Sequence, residues 1–147
     1  MRSSVNPRIW LVDDHANLRA SAQLVLEFEG YAVESWASGS EAWDALLACD
    51  PRRLPDLILL DHQMPGMDGF HVLQKIRACD RLAAIKVVML TGWSQFMEFP
   101  QANDCLRKPV DTGQFLSTVR RFAGDPDAAC ELITTPSVLV STQPAIA

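Results

Sequence analysis

Three short apolar segments constrain the fold of this chain more than any other feature. They lie at residues 9–12, 57–60 and 87–90 and read IWLV, LILL and VVML. None of them alternates with polar residues, and continuous apolar runs of this length are typical of strands buried on both faces, as in a parallel sheet. A more alternating segment at 32–36 (AVESW) predicts an edge strand, and a weaker one at 104–107 (DCLR) predicts a fifth strand.

Helical patterns fall between these strands. Apolar residues recur at helical spacing in three segments, at residues 16–29, 69–79 and 111–123. Ser38 and Glu41 form an S-x-x-E capping box at the start of a further helix. A weak helical segment at 94–102 is broken by Pro100, so we expect a turn or almost no helix there. Strands that alternate with helices predict an α/β fold with a doubly wound, five-stranded parallel sheet.

The composition excludes several classes of function. The 147 residues are 48% hydrophobic and carry a net charge of −5, so no strongly basic domain is present to bind nucleic acid. No apolar run approaches the length of a membrane span, and the first residues lack the apolar core of a signal peptide. The four cysteines are far apart in the sequence, which argues against a disulfide framework or a zinc site. We therefore expect a cytoplasmic protein without direct contacts to nucleic acid or membrane.

The last part of the sequence differs from the rest. Residues 125–147 contain three prolines and several acidic residues but no basic ones. The segment is too short for a second domain. We expect one domain over residues 1–124, followed by a C-terminal tail or a truncated linker at 125–147.

Polar residues follow the predicted strands at one consistent position. They are Asp13, Asp14, Asp61, Thr91 and Lys108. The carboxyl ends of parallel strands share one edge, where open α/β sheets bind ligands. Three clustered carboxylates repel one another and suit Mg²⁺, and a lysine and a hydroxyl beside them suit a phosphoryl group. A carboxylate can itself be the nucleophile that forms an aspartyl phosphate.

Four motifs occur in a characteristic order. They are LVDDH at 11–15, LLDHQMPGMDG at 59–69, LTG at 90–92 and LRKP at 106–109. As an ordered set, they resemble the receiver domain of two-component response regulators of the stand-alone type, over about residues 8–124. The resemblance implies a flavodoxin-like receiver fold, here with a shortened fourth helix. It also implies a phosphorelay switch rather than an enzyme, with output through contact with an unknown partner protein.

The resemblance implies a role for each residue at this edge. Asp61 would accept a phosphoryl group from a histidine kinase or a phosphotransfer protein. Thr91 would bind the phosphoryl oxygens, and Lys108 would pair with the phosphoryl group from beside a cis bond to Pro109. A Mg²⁺ ion would be held by four residues, namely Asp13, Asp14, Asp61 and Gln63, the last through its backbone carbonyl.

The sequence departs from the family pattern in the region that usually signals activation. Family members carry a switching aromatic residue three positions before the lysine, where this chain has Cys105. The segment between Thr91 and Lys108 is also several residues shorter than usual. Gln63 and Trp93 occupy the two positions at which the family tunes the lifetime of the phosphoryl group, although Trp93 could equally be a packing residue.

Four alternatives remain open from the sequence, two within the receiver fold and two weaker ones outside the family. The chain is a receiver-fold interaction module that acts mainly without phosphorylation, or it is the receiver part of a longer regulator. A haloacid dehalogenase-type phosphatase is a weaker alternative, because that family needs a second aspartate where Gln63 stands. A flavodoxin-like cofactor protein is also weaker, because no phosphate-cradling loop follows the first strand.

Overall fold

The computed structural model describes residues 6–92 and 99–126 and confirms the doubly wound α/β fold. The strands within these ranges are β1 (Arg8–Val12), β2 (Ala32–Trp36), β3 (Leu57–Asp61), β4 (Lys86–Thr91) and β5 (Asp104–Arg107). The helices are α1 (Ala16–Phe28), α2 (Gly39–Ala48), α3 (Gly69–Ala78) and α4 (Thr112–Ala123), with a 3₁₀ turn at Pro51–Arg53. Each predicted strand segment forms a strand, and Asp61 and Thr91 are the last residues of β3 and β4.

The five strands form one parallel sheet in the order β2-β1-β3-β4-β5. The central strand β3 is buried along its whole length, whereas β2 at one edge is partly exposed. This difference agrees with the continuous apolar run of β3 and the alternating pattern of β2. The strand register places Asp61 beside Leu90 and Thr91 beside Arg107, so the polar strand ends meet at one edge.

An apolar layer covers each face of the sheet. The layer under α2 and α3 contains Trp10, Val12, Ile58, Leu60, Val87 and Met89 from the strands. The layer under α1 and α4 contains Ile9, Leu11, Leu57, Leu59, Val88 and Leu90. Because successive side chains of a strand point to opposite faces, the position of a residue along its strand determines which layer it joins.

The helices begin at the polar residues that the sequence indicates. The Ser38 hydroxyl accepts a hydrogen bond from the backbone N–H of Glu41 at 3.1 Å, as the capping box predicts. A carboxylate oxygen of Asp111 accepts from the backbone N–H of Gln114 at 3.0 Å at the start of α4. Within the described ranges, none of these helices is both long enough and apolar enough to cross a membrane.

The start of α3 packs directly against the end of β3. The backbone N–H of Gly69 donates to the carbonyl of His62 at 2.9 Å. A β-carbon at position 69 would overlap the carbonyl oxygen of Asp61. Only glycine allows the helix to approach the strand this closely, so Gly69 fixes the position of the backbone that carries Asp61.

The connection from β4 to β5 is short. Residues 99–103 form a turn in which the N–H of Ala102 donates to the carbonyl of Phe99 at 2.9 Å. Arg77 from α3 braces this turn by donating to the carbonyl of Gln101 at 2.8 Å and to the side-chain oxygen of Asn103 at 3.1 Å. The turn agrees with the expected loss of helix at 99–102. The remainder of the predicted weak helix lies outside the described residues, as does most of the predicted tail.

Candidate functional site

Four strands bring the predicted site residues to the carboxyl edge of the sheet. Asp13 and Asp14 follow β1, Asp61 ends β3, Thr91 ends β4, and Lys108 follows β5. Ligand atoms of Asp13, Asp14 and Asp61 lie within 4.8 Å of one another in a cluster that also includes His15. The edge position predicted from the strands therefore agrees with the structure.

Lys108 is the cation of this cluster. Its Nζ donates to a carboxylate oxygen of Asp61 at 2.8 Å and lies 3.5 Å from a carboxylate oxygen of Asp13. The Lys108–Pro109 peptide bond is cis, as the resemblance implies. Burial alone would lower the pKa of Lys108, but the hydrogen bond and charge of Asp61, together with Asp13, raise it above its usual value. The ammonium group is therefore held charged beside the carboxylates.

The charged form of Asp61 is disfavoured by its surroundings. Burial raises its pKa above the usual range, because the charged form is poorly solvated. Lys108 opposes this effect through its hydrogen bond and charge, whereas Asp13 and Asp14 add to it by repulsion. The pKa of Asp61 is raised mainly by burial, which Lys108 only partly offsets, and a further cation at this edge would favour the charged form and reduce the repulsion from Asp13 and Asp14.

The donor set fits a hard divalent cation. The three carboxylates are oxygen ligands of the kind that Mg²⁺ prefers. One carboxylate oxygen of Asp14 is buried and makes no hydrogen bond, although Nδ1 of His15 lies 3.4 Å away. A buried carboxylate oxygen without a hydrogen bond is costly unless another group satisfies it. This oxygen is therefore a ready ligand atom.

Two residues near the acidic cluster were not identified from the sequence. His15 is one of them, and its Nδ1 lies 3.5 Å from a carboxylate oxygen of Asp13 and 3.4 Å from one of Asp14. The Arg19 guanidinium donates to the backbone carbonyl of Asp13. Arg19 lies four residues after His15, the N-cap of α1. This spacing is only a weak sequence indication that the Arg19 side chain reaches back to the start of the helix.

Thr91 is buried beside a second histidine. Thr91 is 4% exposed, and its side-chain hydroxyl lies 3.3 Å from Nδ1 of His62. The carbonyl of Thr91 accepts from the backbone N–H of Lys108 at 2.7 Å, which ties the ends of β4 and β5 together. The contact with His62 was also missed from the sequence, because it depends on the register between β3 and β4.

The other predicted positions lie around this core of the site. Gln63 is exposed in the loop after β3, two residues beyond Asp61. Cys105 is half-buried in β5 and packs against the layer under α2 and α3. Burial raises the pKa of its thiol, with a further rise from Asp104, so the thiol stays protonated. Trp93 lies outside the described residues.

A comparison with protein families covers most of the described residues. Residues 9–120 match the family model described as the response regulator receiver domain. The chain belongs to this family. Receiver domains are signalling switches, and the acidic edge of this receiver domain lies where its strand-end motifs predict.

Curated relatives of this receiver domain include regulators of different length. The chain is 36% identical over 119 residues to the DNA-binding dual master transcriptional regulator RpaA of Synechocystis sp., covering 78% of this chain and 48% of RpaA. It is 28% identical over 123 residues to sporulation initiation phosphotransferase F of Bacillus subtilis, covering 80% of this chain and 94% of that protein. The chain thus spans about half the length of RpaA but nearly the whole of the sporulation protein.

Solved structures give the same result for this receiver domain. The response regulator TrrA of Thermotoga maritima, crystallised in complex with Mg(2+)-BeF, matches with a TM-score of 0.69 and 27% identity over 79% of this chain and 98% of that one. A response regulator from Chloroflexus aurantiacus matches with a TM-score of 0.72 and 27% identity, covering 80% of this chain and 98% of that one.

Proposed function

We propose that this receiver domain is a Mg²⁺-dependent phosphoacceptor switch whose acceptor is Asp61. The observation that carries the proposal is the contact between Lys108 and Asp61 inside a cluster of three carboxylates. Asp61 is 3% exposed and lies at the end of the central strand, whereas Asp14 is partly exposed and Asp13 caps the following turn. The acceptor role therefore falls to Asp61, with Asp13 and Asp14 as ligands of the metal.

The chemistry is an in-line transfer to a carboxylate. A carboxylate oxygen of Asp61 attacks the phosphorus of a phosphohistidine or a small phosphodonor, and the new O–P bond forms as the bond to the leaving group breaks. The leaving nitrogen or oxygen takes the bonding electron pair. Bound Mg²⁺ would neutralise charge on the phosphoryl oxygens, held by Asp13, Asp14, Asp61 and the carbonyl of Gln63.

Lys108 and Thr91 are suited to hold the product. Lys108 supplies a fixed positive charge for a phosphoryl oxygen, and the buried hydroxyl of Thr91 supplies a hydrogen-bond donor. In the unmodified protein Lys108 is engaged by Asp61 at 2.8 Å. Phosphorylation consumes that carboxylate charge, so the ammonium group would transfer its contact to the phosphoryl oxygens.

The phosphodonor we infer is a histidine kinase or a phosphotransfer protein. Helix α1 begins beside the acidic edge and exposes Leu18, Leu24 and Phe28, which are 53%, 67% and 88% exposed. Leu18 lies in the first turn of α1 beside Asp13 and Lys108, and Leu24 and Phe28 continue the exposed apolar surface along the helix. An exposed apolar surface that begins at a reactive edge fits a protein donor better than a small molecule. Output would also occur through contact with a partner protein rather than nucleic acid. We assign this receiver function to residues 1–124 and a tail or truncated linker to 125–147.

The proposal is tested by phosphorylation with acetyl phosphate in the presence of Mg²⁺. Intact-mass measurement should show one added phosphoryl group that is stable in acid and lost in base. Asp61→Asn should abolish the addition. Asp68→Asn is the matched control, because Asp68 is a nearby carboxylate outside the cluster that caps α3, a role asparagine retains. Equal labelling of the Asp61→Asn variant and the wild type would refute the assignment.

A second candidate function is favoured by the region around Cys105. A receiver-fold interaction module that works mainly without phosphorylation needs neither a switching aromatic residue nor a full helix between β4 and β5. Such a module would remain unlabelled by acetyl phosphate while the protein is folded and Mg²⁺ is saturating.

A further inference from the structure

His62 is a buried polar residue for which the phosphoryl chemistry assigns no role. It is 6% exposed, and its Nδ1 lies 3.3 Å from the hydroxyl of Thr91. Its ring meets the ring of Phe99 edge-on, with 5.0 Å between centroids and 71° between planes. Phe99 is also buried, and its ring centroid lies 6.4 Å from that of Phe70, which is 38% exposed. These contacts form a continuous series from the proposed phosphoryl site to the surface.

The strand register explains why His62 and Thr91 meet. His62 follows Leu60 on β3 by two positions, and Thr91 follows Met89 on β4 by two, so both continue the face that packs under α2 and α3. The backbone N–H of His62 donates to the carbonyl of Leu90 at 2.8 Å. This bond extends the pairing of β3 with β4 beyond Asp61 and holds the imidazole next to the threonine.

The position of Cys105 makes this contact significant. Cys105 is paired with Met89 in the sheet, so it flanks the same face of β4 from the β5 side. Its thiol has no ring and packs against the layer that contains Phe99. Among the residues that the structure describes, an aromatic ring is placed beside Thr91 by His62, which directly follows β3, and none is placed there by β5.

The contact between the Thr91 hydroxyl and Nδ1 of His62 would transmit a movement of Thr91 to the imidazole. The threonine hydroxyl has one proton to donate and two lone pairs that accept. When that proton goes to a phosphoryl oxygen, the contact with His62 survives only if the Nδ1–H of His62 donates to the threonine oxygen. Thr91 must then draw the imidazole with it, or a buried polar pair loses its hydrogen bond. Because the imidazole packs edge-on against Phe99, its movement also displaces that ring.

We propose that His62 is a positioning residue that couples Thr91 to Phe99 and Phe70, and so carries the phosphorylation signal toward α3 and the turn after β4 instead of through position 105. This inference rests on the proposed function, because it requires a phosphoryl group to recruit Thr91. The expected readout surface is the exposed side of Phe70 on the first turn of α3.

The test uses NMR spectra of the full chain with and without Mg²⁺ and beryllofluoride, the combination named for the TrrA structure. His62→Phe keeps a ring against Phe99 but has no atom to hydrogen-bond to Thr91. His62→Asn keeps a hydrogen-bonding atom near the position of Nδ1 but has no ring. Cys105→Ala is the matched control, since it removes a side chain that packs against the same layer without a hydrogen bond to Thr91.

In the wild type and in Cys105→Ala, we expect beryllofluoride to shift the ring and backbone resonances of Phe99. In both His62 variants, those shifts should be at least about threefold smaller, because coupling needs the hydrogen bond and the ring together. The backbone amides of Asp13 and Asp14 should shift equally in all four proteins, which reports that the site is filled.

The outcomes separate the two proposals. Silent amides at Asp13 and Asp14 in the folded wild type would refute the phosphoacceptor function itself and, with it, this coupling. Responsive amides at those positions, combined with wild-type shifts at Phe99 in His62→Asn, would refute the coupling alone. If His62→Phe does not fold, the coupling is tested by His62→Asn alone, because asparagine is smaller than histidine and cannot overfill the site.

Discussion

The candidate site has two halves that differ in charge and in contacts. The acidic half consists of Asp13, Asp14, Asp61 and Lys108. In it, Nζ of Lys108 lies 2.8 Å from a carboxylate oxygen of Asp61 and 3.5 Å from one of Asp13. The aromatic half consists of Thr91, His62, Phe99 and Phe70, which are linked by one hydrogen bond and by ring contacts. The two halves share the sheet edge, with Asp61 and His62 adjacent in the chain.

The difference between the halves separates chemistry from its readout. The acidic half is electrostatically unbalanced, since burial and neighbouring carboxylates raise the pKa of Asp61 despite Lys108. It therefore favours the binding of a cation and the loss of a carboxylate charge. The aromatic half contains no carboxylate and is linked in series through Thr91, so we expect it to respond to those events through the position of Thr91. Variants that damage one half should leave a measurable part of the other intact.

The largest effect on stability is expected at Gly69, which lies at the start of α3 against the backbone of Asp61 and His62. Gly69→Ala places a β-carbon against the carbonyl oxygen of Asp61, which is backbone and cannot swing away. We expect a loss of about 3 kcal/mol or more in the free energy of unfolding, measured by urea denaturation. Gly113→Ala is the control, because its β-carbon would meet only a side-chain oxygen of Asp111 at 3.1 Å. Equal stability of the two variants would show that α3 can move away from β3 at little cost.

The next largest effect is expected on Mg²⁺ affinity and involves the acidic half alone. Asp14→Ala removes a ligand oxygen, so the affinity for Mg²⁺ should fall at least tenfold, or about 1.4 kcal/mol. Without metal, the variant should be as stable as the wild type or more stable, because carboxylate repulsion is reduced. Calorimetric titration with Mg²⁺ and metal-free urea denaturation measure the two quantities. A marked loss of metal-free stability would instead identify Asp14 as a structural cap.

These expectations also indicate what the sequence can and cannot predict. Apolar runs and the polar residues that end them predicted the sheet and the edge that carries Asp61, because strand burial and strand ends are local properties. The His62–Thr91 contact was not predictable in the same way, since it requires the register between two strands. The need for glycine at position 69 was equally hidden, because it arises from the approach of α3 to β3. The approach of His15 to Asp13 and Asp14 was hidden as well, because it depends on how the chain turns from β1 into α1.

A smaller effect is expected on the pH dependence of stability. Because the folded protein raises the pKa of Asp61, it binds that proton more tightly than the unfolded chain does. Metal-free stability should therefore fall as pH rises from the ordinary aspartate pKa of 3.8 through the raised folded value. Asp61→Asn should remove this fall and be more stable at neutral pH by on the order of 1 kcal/mol. The free energy of unfolding of the two proteins is compared by urea denaturation from about pH 4 to about pH 7, where a carboxylate with a raised pKa titrates.

The opposite result would change the electrostatic interpretation of the acidic half. If Asp61→Asn were less stable than the wild type at neutral pH, the Lys108–Asp61 ion pair would outweigh the burial and repulsion of Asp61. Lys108 would then be a structural partner first and a phosphoryl ligand second.

The smallest effect is expected at position 105. Cys105 has no ring and no hydrogen bond from its thiol to Thr91 among the contacts described above, so phosphorylation should alter amide exchange around it only weakly. Coupling is a difference in free energy between two states, and a side chain without two distinct positions contributes little to it. Hydrogen exchange with and without the phosphoryl group measures this. A large ordered change centred on Cys105 would show that the signal passes through β5 after all.

The most direct test of the central claim is to locate the phosphoryl group in the chain. The wild-type protein is incubated with Mg²⁺ and acetyl phosphate and then treated with borohydride, which reduces an aspartyl phosphate to homoserine. Fragmentation of the resulting peptides by mass spectrometry identifies the reduced position. We expect homoserine at position 61 and unmodified Asp13, Asp14 and Asp68. Reduction at Asp13 or Asp14, or no reduction in a folded, Mg²⁺-bound protein, would contradict the assignment of Asp61 as the acceptor.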